Sequence, residues 1–251
     1  MTQASGPVPP GGRIPPAERA QRNVHALVAG FDKLVCSFEA APGWPGPSLY
    51  FHDRAIQVRR EHTSAMSLLR DDRFLEYVYA VLPAWGMHRM GDQAAKVCDF
   101  EPFSTAVRNC SSALEELWDL RITALTSEQD AEVASKLWDI IARLKVSRSE
   151  TQIVAGSKAL HHVLPDLLPP IDRQYTFRFF TGQKQVAGDR RAFLDWYPHL
   201  AEIGRRARDS IMTTLERGGF MATGEAKVID NAIIAFMRRG AVLPDKLIDG
   251  N

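Results

Sequence analysis

Two residues in the segment 155–173 have the chemistry of a bond-breaking pair, namely an amine and a carboxylate. Lys158 is predicted to lie at the start of a helix, behind Gly156 and Ser157, where backbone amides attract an anion such as a phosphate. Asp172 follows two prolines that fix φ, so its carboxylate is expected to be held stiffly. A partly desolvated lysine is a usable nucleophile, and a carboxylate can stabilise a cationic sugar or accept a proton from water. The pair is therefore suited to breaking the bond between a sugar and a base.

Both residues also have interpretations that need no chemistry. Asp172 can cap a helix that begins at Arg173, because aspartate accepts hydrogen bonds from the free amides of a first helical turn. Lys158 can be a solvated surface lysine. These roles do not exclude the chemical ones, since an aspartate can cap a helix and face a cleft at the same time.

A turn bounded by glycines, 85–91, contains three further candidates for contact with a base: Trp85, His88 and Arg89. An enzyme that acts on a base within DNA must extrude it, hold it against an aromatic ring and fill the gap that it leaves. The turn could do either of the last two jobs. The alternative is that Trp85 belongs to the core and that His88 and Arg89 are its solvated neighbours.

The residues around Asp172 could share its cleft. Arg173 is a candidate for contact with DNA, and Tyr175 could line the same pocket or belong to the core. His161 and His162 are adjacent, so on a helix they point about 100° apart and cannot both bind one metal from one face. One of them could hydrogen-bond Asp172, and the alternative is a half-buried structural histidine.

Composition limits the classes of protein that the chain can belong to. Its 251 residues are 45% hydrophobic and 24% charged, which is typical of a soluble globular protein. The formal net charge is +1, so nucleic acid would need a local basic patch, and the segment 145–191 has eight basic and four acidic residues. Three scattered cysteines and the absence of phosphate-loop motifs predict no metal and no cofactor. We expect a cytoplasmic protein that does not enter the membrane.

Apolar residues recur at helical spacing along most of the chain, and no segment alternates strictly as a strand would. We therefore predict an all-α bundle of roughly eight to ten helices. Residues 1–20 are expected to form a disordered tail, and residues 21–251 a single α-helical domain in which two lobes are possible. The first helix is predicted over Asn23–Phe38 and the last over Glu225–Arg239, with Glu225 and Lys227 as surface charges.

Two elements resemble the helix-hairpin-helix DNA glycosylases. Ala155–Ala159 is similar to the glycine-rich hairpin that leads into the catalytic lysine of that family, and Val154 stands where its first hairpin glycine would be. The run 169–172 is similar to its proline-hydrophobic-aspartate element. The resemblance implies the glycosylase fold, a DNA partner, catalytic roles for Lys158 and Asp172, and phosphate contacts at the hairpin.

Two hypotheses follow. The first is an enzyme that flips a damaged or modified base out of DNA and excises it. The second is a non-catalytic helical module that binds DNA or a partner protein. The identity of the base and the oligomeric state stay open at this point.

Overall fold

The regular structure of the chain is helical. The computed structural model describes residues 14–41, 43, 46–87 and 96–240. Within these ranges there are thirteen α-helices and one short π-helix, and the only β pairing is an isolated bridge between Val97 and Ser147. The predicted all-α class is confirmed. The helices outnumber the prediction because several long apolar patterns are divided by breaks.

The helices are numbered in chain order. They are α1 (Pro16–Ala29), α2 (Phe31–Ala40), α3 (Pro47–Arg60), α4 (Ala65–Leu68), α5 (Asp72–Leu82), the π-helix Pro83–Met87, α6 (Phe100–Asn109), α7 (Ser111–Glu115), α8 (Asp130–Leu144), α9 (Ile153–Val163), α10 (Thr176–Thr181), α11 (Asp189–Arg206), α12 (Arg208–Glu216) and α13 (Glu225–Gly240).

The first predicted helix is two helices, and it starts earlier than predicted. Gly30 separates α1 from α2. The chain becomes helical at Pro16, where proline suits a first helical position because its φ is already helical and it has no amide to leave unpaired. Residues 16–20 of the predicted tail therefore belong to α1, and Ala20 is buried.

Helix α9 lies at the centre of the molecule. All of its residues except Val154 are buried, and it contacts α3, α5, α8 and α11. A helix that is buried all round belongs to the core. Lys158 therefore lies in the middle of a core helix, and the prediction that it begins a helix is wrong.

Gly156 has a packing role in this helix. Its amide donates to the Gln152 carbonyl at 2.8 Å, as in any helical turn. A Cβ added to Gly156 would lie 2.7 Å from Cγ2 of Ile141 on α8, closer than two carbon atoms can approach. The glycine thus allows α8 and α9 to pack closely, and it forms no hairpin.

Replacing Gly156 with alanine should lower the free energy of unfolding by about 1–3 kcal/mol, because the new methyl group overpacks the α8–α9 contact. Urea unfolding followed by circular dichroism measures this. Gly30→Ala is the control, since the nearest atom to a Cβ added there is the Ala26 carbonyl oxygen at 3.7 Å, an ordinary contact, and its φ of −114° suits alanine. That variant should be neutral or slightly stabilised. Equal stability of the two variants would contradict the packing role.

None of the helices formed by the described residues is both long and apolar enough to cross a bilayer.

Candidate functional site

One open pocket of about 640 Å³ contains both Lys158 and Asp172 in its lining. Trp85, Arg173 and Tyr175 line the same pocket, so five of the predicted site residues meet there. Its walls come from the π-helix, Lys96, the loop between α8 and α9, α9 itself, the segment 170–175, and α13 with the turn before it. The volume falls in the range of pockets that hold small ligands in other proteins, about 300–1,000 Å³. His88 and Arg89 lie outside the described residues.

Gly156 and Ser157 are buried within α9 and do not line the pocket, so their contact with DNA stays a prediction. Ser157 is fully buried. Its hydroxyl accepts a hydrogen bond from the amide of Ile171 at 3.0 Å and donates to the carbonyl of Val154. The serine therefore fixes the segment that carries Asp172 onto α9.

The first amides of α9 are already occupied. The carboxylate of Asp189 accepts hydrogen bonds from the amides of Gln152 at 2.6 Å and Ile153 at 3.0 Å. A carboxylate at a helix N-terminus satisfies the amides that a phosphate would otherwise bind. The predicted phosphate site at the start of this helix is thus filled by the protein itself.

Lys158 is a buried amine at the inner end of the pocket. Its side chain is 9% exposed, and its Nζ donates to the Trp85 carbonyl at 2.6 Å. Burial lowers the pKa of Lys158, and the negative charges of Asp172 and Asp230 oppose this shift. Lys158 is therefore not a solvated surface lysine. Because its pKa is lowered, a larger fraction of the amine is uncharged here than in water.

Asp172 caps the turn that leads into α10 and also lines the pocket. Its Oδ1 accepts a hydrogen bond from the amide of Tyr175 at 2.6 Å, and its carbonyl accepts from the amide of Phe177. The regular helix begins at Thr176, later than the predicted Arg173. Among the described residues, no donor reaches Oδ2, so this oxygen keeps its capacity for a ligand.

Trp85 is held in a distorted turn. The run from Pro83 to Met87 is a π-helix in which Gly86 has a φ of +89°, a conformation that favours glycine. The indole Nε1 donates to the Ser48 carbonyl at 3.2 Å, and Lys96 donates to the Gly86 carbonyl at 3.1 Å. Trp85 and Gly86 both leave helical geometry, so the run is kinked, and the kink presents the aromatic ring to the pocket.

Three histidines lie against the indole of Trp85. The ring centroids of His52 and His162 are each 5.1 Å from that of Trp85, and the centroid of His161 is 6.3 Å away. All three side chains are fully buried, so the expectation of half-buried histidines is wrong. His162 Nδ1 lies 2.8 Å from the Lys158 carbonyl, which ties the cluster to α9.

Sequence reasoning missed a second charged cluster, on α13. Lys227 and Asp230 line the pocket, and the Lys227 ammonium donates to Asp230 at 2.6 Å and to Asn231 at 2.7 Å. Lys227 and Glu225 were predicted to be surface charges, but both are buried. Glu225 accepts hydrogen bonds from Arg121 and Thr123. The i, i+3, i+4 spacing of the cluster is the signal that places its members on one helical face.

The pocket is more basic than the chain. Among the described residues, its lining includes the cationic side chains of Lys96, Lys158, Arg173 and Lys227 and two carboxylates, those of Asp172 and Asp230. The basic segment 145–191 contributes only two of these side chains. Such a balance favours a ligand that carries negative charge.

Comparisons with known proteins found no relative: no family model, no curated protein and no solved structure matches the chain. Within the described ranges, no group of three or more histidine, cysteine, aspartate or glutamate side chains could hold a metal ion. The functional proposal below therefore depends on the pocket's own chemistry.

Proposed function

We propose that the protein binds DNA, accepts an everted damaged or modified nucleoside in the pocket, and breaks the bond between base and sugar. The observation that carries the proposal is that Lys158, Asp172 and Trp85 line one open pocket of about 640 Å³. An amine, a carboxylate and an aromatic ring are the groups that base excision needs. The proposal keeps the likeness of Asp172 and Lys158 to the catalytic aspartate and lysine of the helix-hairpin-helix DNA glycosylases, although the glycine-rich run of this chain lies inside α9 and forms no hairpin.

Asp172 stabilises the positive charge that develops on the sugar as the base departs. Lys158 attacks the sugar carbon C1′ through its uncharged Nζ, and the base leaves with the electrons of the bond that breaks. Loss of a proton from the nitrogen and opening of the sugar ring then give an imine. If water attacks instead, Asp172 accepts its proton and the product is an abasic site without an adduct.

The remaining predicted residues surround this chemistry. Trp85 offers a ring for the extruded base, and Tyr175 is a second aromatic in the lining. Arg173 is exposed at the pocket and is suited to a phosphate of the DNA backbone. Together they give the nucleoside a stacking surface and a cation.

One observation favours a second candidate, a binding module without catalysis. Asp189 occupies the first amides of α9, where a DNA phosphate could otherwise bind. The chain as a whole has a formal charge of only +1. A protein that contacts few phosphates would bind DNA weakly, retain it only at low salt, and leave every base in place.

The two candidates are separated by a gel shift followed by alkaline cleavage on a panel of duplexes that carry modified bases. Strand cleavage at the modified position supports base excision. Retention of DNA at low salt without cleavage supports the binding module. If the protein neither cleaves nor retains the duplexes, both candidate functions are rejected.

Lys158→Gln should abolish any covalent complex that borohydride traps on a cleaved duplex, because the amide cannot form an imine. The measurement is a shifted band on a denaturing gel. Lys184→Gln is the matched control, since Lys184 is an exposed lysine outside the pocket. A trapped complex that survives Lys158→Gln would show that another amine is the nucleophile.

A further inference from the structure

The cluster on α13 is a set of buried polar groups in the wall of the pocket. Lys227, Asp230 and Asn231 are 2%, 4% and 2% exposed. Lysine and aspartate are rarely buried to this extent, because desolvating an ion pair costs free energy that the pairing seldom returns. The proposed bond cleavage at Lys158 and Asp172 makes no use of these groups.

A second observation connects this cluster with a ligand site. Met221, another residue of the pocket lining, has a φ of +53°, which is unfavourable for a residue other than glycine. Its carbonyl accepts a hydrogen bond from Nδ2 of Asn231 at 3.2 Å, while Oδ1 of the same amide accepts from Lys227. Strained backbone is concentrated at functional sites, and here the network that holds the lysine also holds the strained residue.

The cluster has a hydrogen-bond donor and an acceptor to spare. Lys227 uses two of its three N–H groups on Asp230 and Asn231, and among the described residues no acceptor takes the third. Asp230 accepts from Lys227 through Oδ2, and within the same ranges no donor reaches Oδ1. The two residues therefore present a donor beside an acceptor.

An aromatic ring lies close to this donor and acceptor. The Lys227 Nζ is 5.9 Å from the centroid of the Trp85 ring, and both residues line the pocket. A planar ligand that enters the pocket beside Trp85 would therefore come near Lys227 and Asp230.

We propose that Lys227 and Asp230 determine specificity by reading the edge of a planar heterocycle that carries a hydrogen-bond acceptor next to an N–H group. The acceptor takes the free N–H of Lys227, and the N–H donates to Asp230. The inference rests on the proposed function for the nature of the ring, which would be the everted base. A site built to pair with an N–H rejects an analogue that lacks it, because the buried acceptor is then left unpaired.

The test uses the full chain and free nucleosides, without DNA. Binding of 2′-deoxyinosine and 2′-deoxyuridine is compared with that of 1-methyl-2′-deoxyinosine and 3-methyl-2′-deoxyuridine by ligand-observed nuclear magnetic resonance at millimolar concentration. We expect the N-methylated nucleosides to bind about 10-fold more weakly or worse, the effect of one lost hydrogen bond of roughly 1.4 kcal/mol.

Asp230→Asn should reduce this discrimination to within about 3-fold, because the amide can donate where the carboxylate only accepted. Asp195→Asn, at an exposed position on α11, should keep the full ratio. The asparagine has the shape of the aspartate and can still accept from Lys227. If the Asp230→Asn variant fails to fold, Lys227→Met is the second variant. It should weaken the binding of both parent nucleosides.

Three results would overturn the inference: equal binding of methylated and parent nucleosides by the natural protein, no binding of any of the four, or an unchanged ratio in Asp230→Asn. An unchanged ratio would mean that the methyl group is excluded only by its size. The proposed function is tested by a separate measurement, the release of a base from DNA. A protein that discriminates nucleosides but releases no base would refute only that proposal.

Discussion

Asp172→Asn should slow base release by about 10²- to 10⁴-fold, the usual contribution of a positioned carboxylate to catalysis. The substitution removes the charge and keeps the shape. The neutral amide stabilises a cationic sugar less well and cannot accept a proton from water. Single-turnover cleavage of a duplex that the natural protein processes measures the effect.

The structure makes this substitution a clean one. Asparagine caps a helix as well as aspartate does, so the hydrogen bond from the Tyr175 amide is retained and stability should change little. Asp172→Ala loses the cap as well and should cost about 1 kcal/mol of unfolding free energy. Comparing the two variants separates the charge from the cap. Asp139→Asn, at an exposed position on α8, is the control.

Loss of the carboxylate also acts on Lys158, in the opposite direction. The charge of Asp172 raises the pKa of Lys158 against the effect of burial, so Asp172→Asn lowers that pKa further. The fraction of uncharged amine then increases. If the supply of uncharged amine limited the reaction, the variant would be faster. A rate that is equal to or above that of the natural protein would therefore refute the role of Asp172 in stabilising the sugar.

Local sequence patterns were enough to predict the fold class and part of the pocket. Helix α5 follows from the spacing of Phe74, Val78 and Leu82, which repeats an apolar face every three to four residues. Lys158 and Asp172 reach one pocket because the chain turns back between them within a few residues, which the Pro169-Pro170 pair favours.

The start of α9 could not be predicted, because its cap comes from far along the chain. The amides of Gln152 and Ile153 are satisfied by Asp189, which lies 37 and 36 residues further on. The N-cap residue Gln152 makes no capping hydrogen bond through its side chain, so the glycine and serine within the helix looked like the beginning of a second helix. The close approach of Ile141 to Gly156 is likewise a tertiary contact.

The histidine cluster and the α13 cluster were missed for the same reason. His52 meets His162 across 110 residues of sequence and Thr223 across 171. Lys227 and Asp230 lie on a helix whose apolar face was predicted, but the burial of its polar face depends on the elements packed around it. Charged residues on a helix are usually solvated, and only the three-dimensional structure identifies these as exceptions.

The hydrogen bonds of the histidine cluster are consistent with three neutral rings. His162 donates through Nδ1 to the Lys158 carbonyl, so its Nε2 accepts from Nδ1 of His52 at 3.1 Å. Nε2 of His52 then accepts from the hydroxyl of Thr223 at 2.9 Å. His161 donates through Nδ1 to the Leu168 carbonyl, and its buried Nε2 has no partner in the described part of the chain.

Burial and the nearby positive charges hold the rings in this neutral form. Burial, together with the charge of Lys227 and against the hydrogen bond to the Lys158 carbonyl, lowers the pKa of His162 from its ordinary value of 6.5 to about 4. The pKa values of His52 and His161 also lie well below 6.5, mainly because of burial. An additional proton on any of these rings would place an uncompensated charge in the core.

The protein should therefore lose stability steeply as the pH falls from 6.5 towards 4. In this window the unfolded chain takes up protons on histidines that stay neutral in the folded protein, so protonation favours unfolding. Each such histidine lowers the free energy of unfolding by about 1.4 kcal/mol per pH unit, and His162 alone accounts for about 3 kcal/mol across its window. Burial raises the pKa values of Asp230 and Asp53, and the protons that these carboxyls take up in the folded protein oppose the trend. Urea unfolding at intervals of half a pH unit measures the slope.

His162→Gln should reduce this slope by about 1.4 kcal/mol per pH unit, whereas His25→Gln, at an exposed position on α1, should leave it unchanged. A free energy of unfolding that is flat between pH 6.5 and 5 would contradict the neutral network, because it would require the buried rings to accept protons as readily as the unfolded chain does.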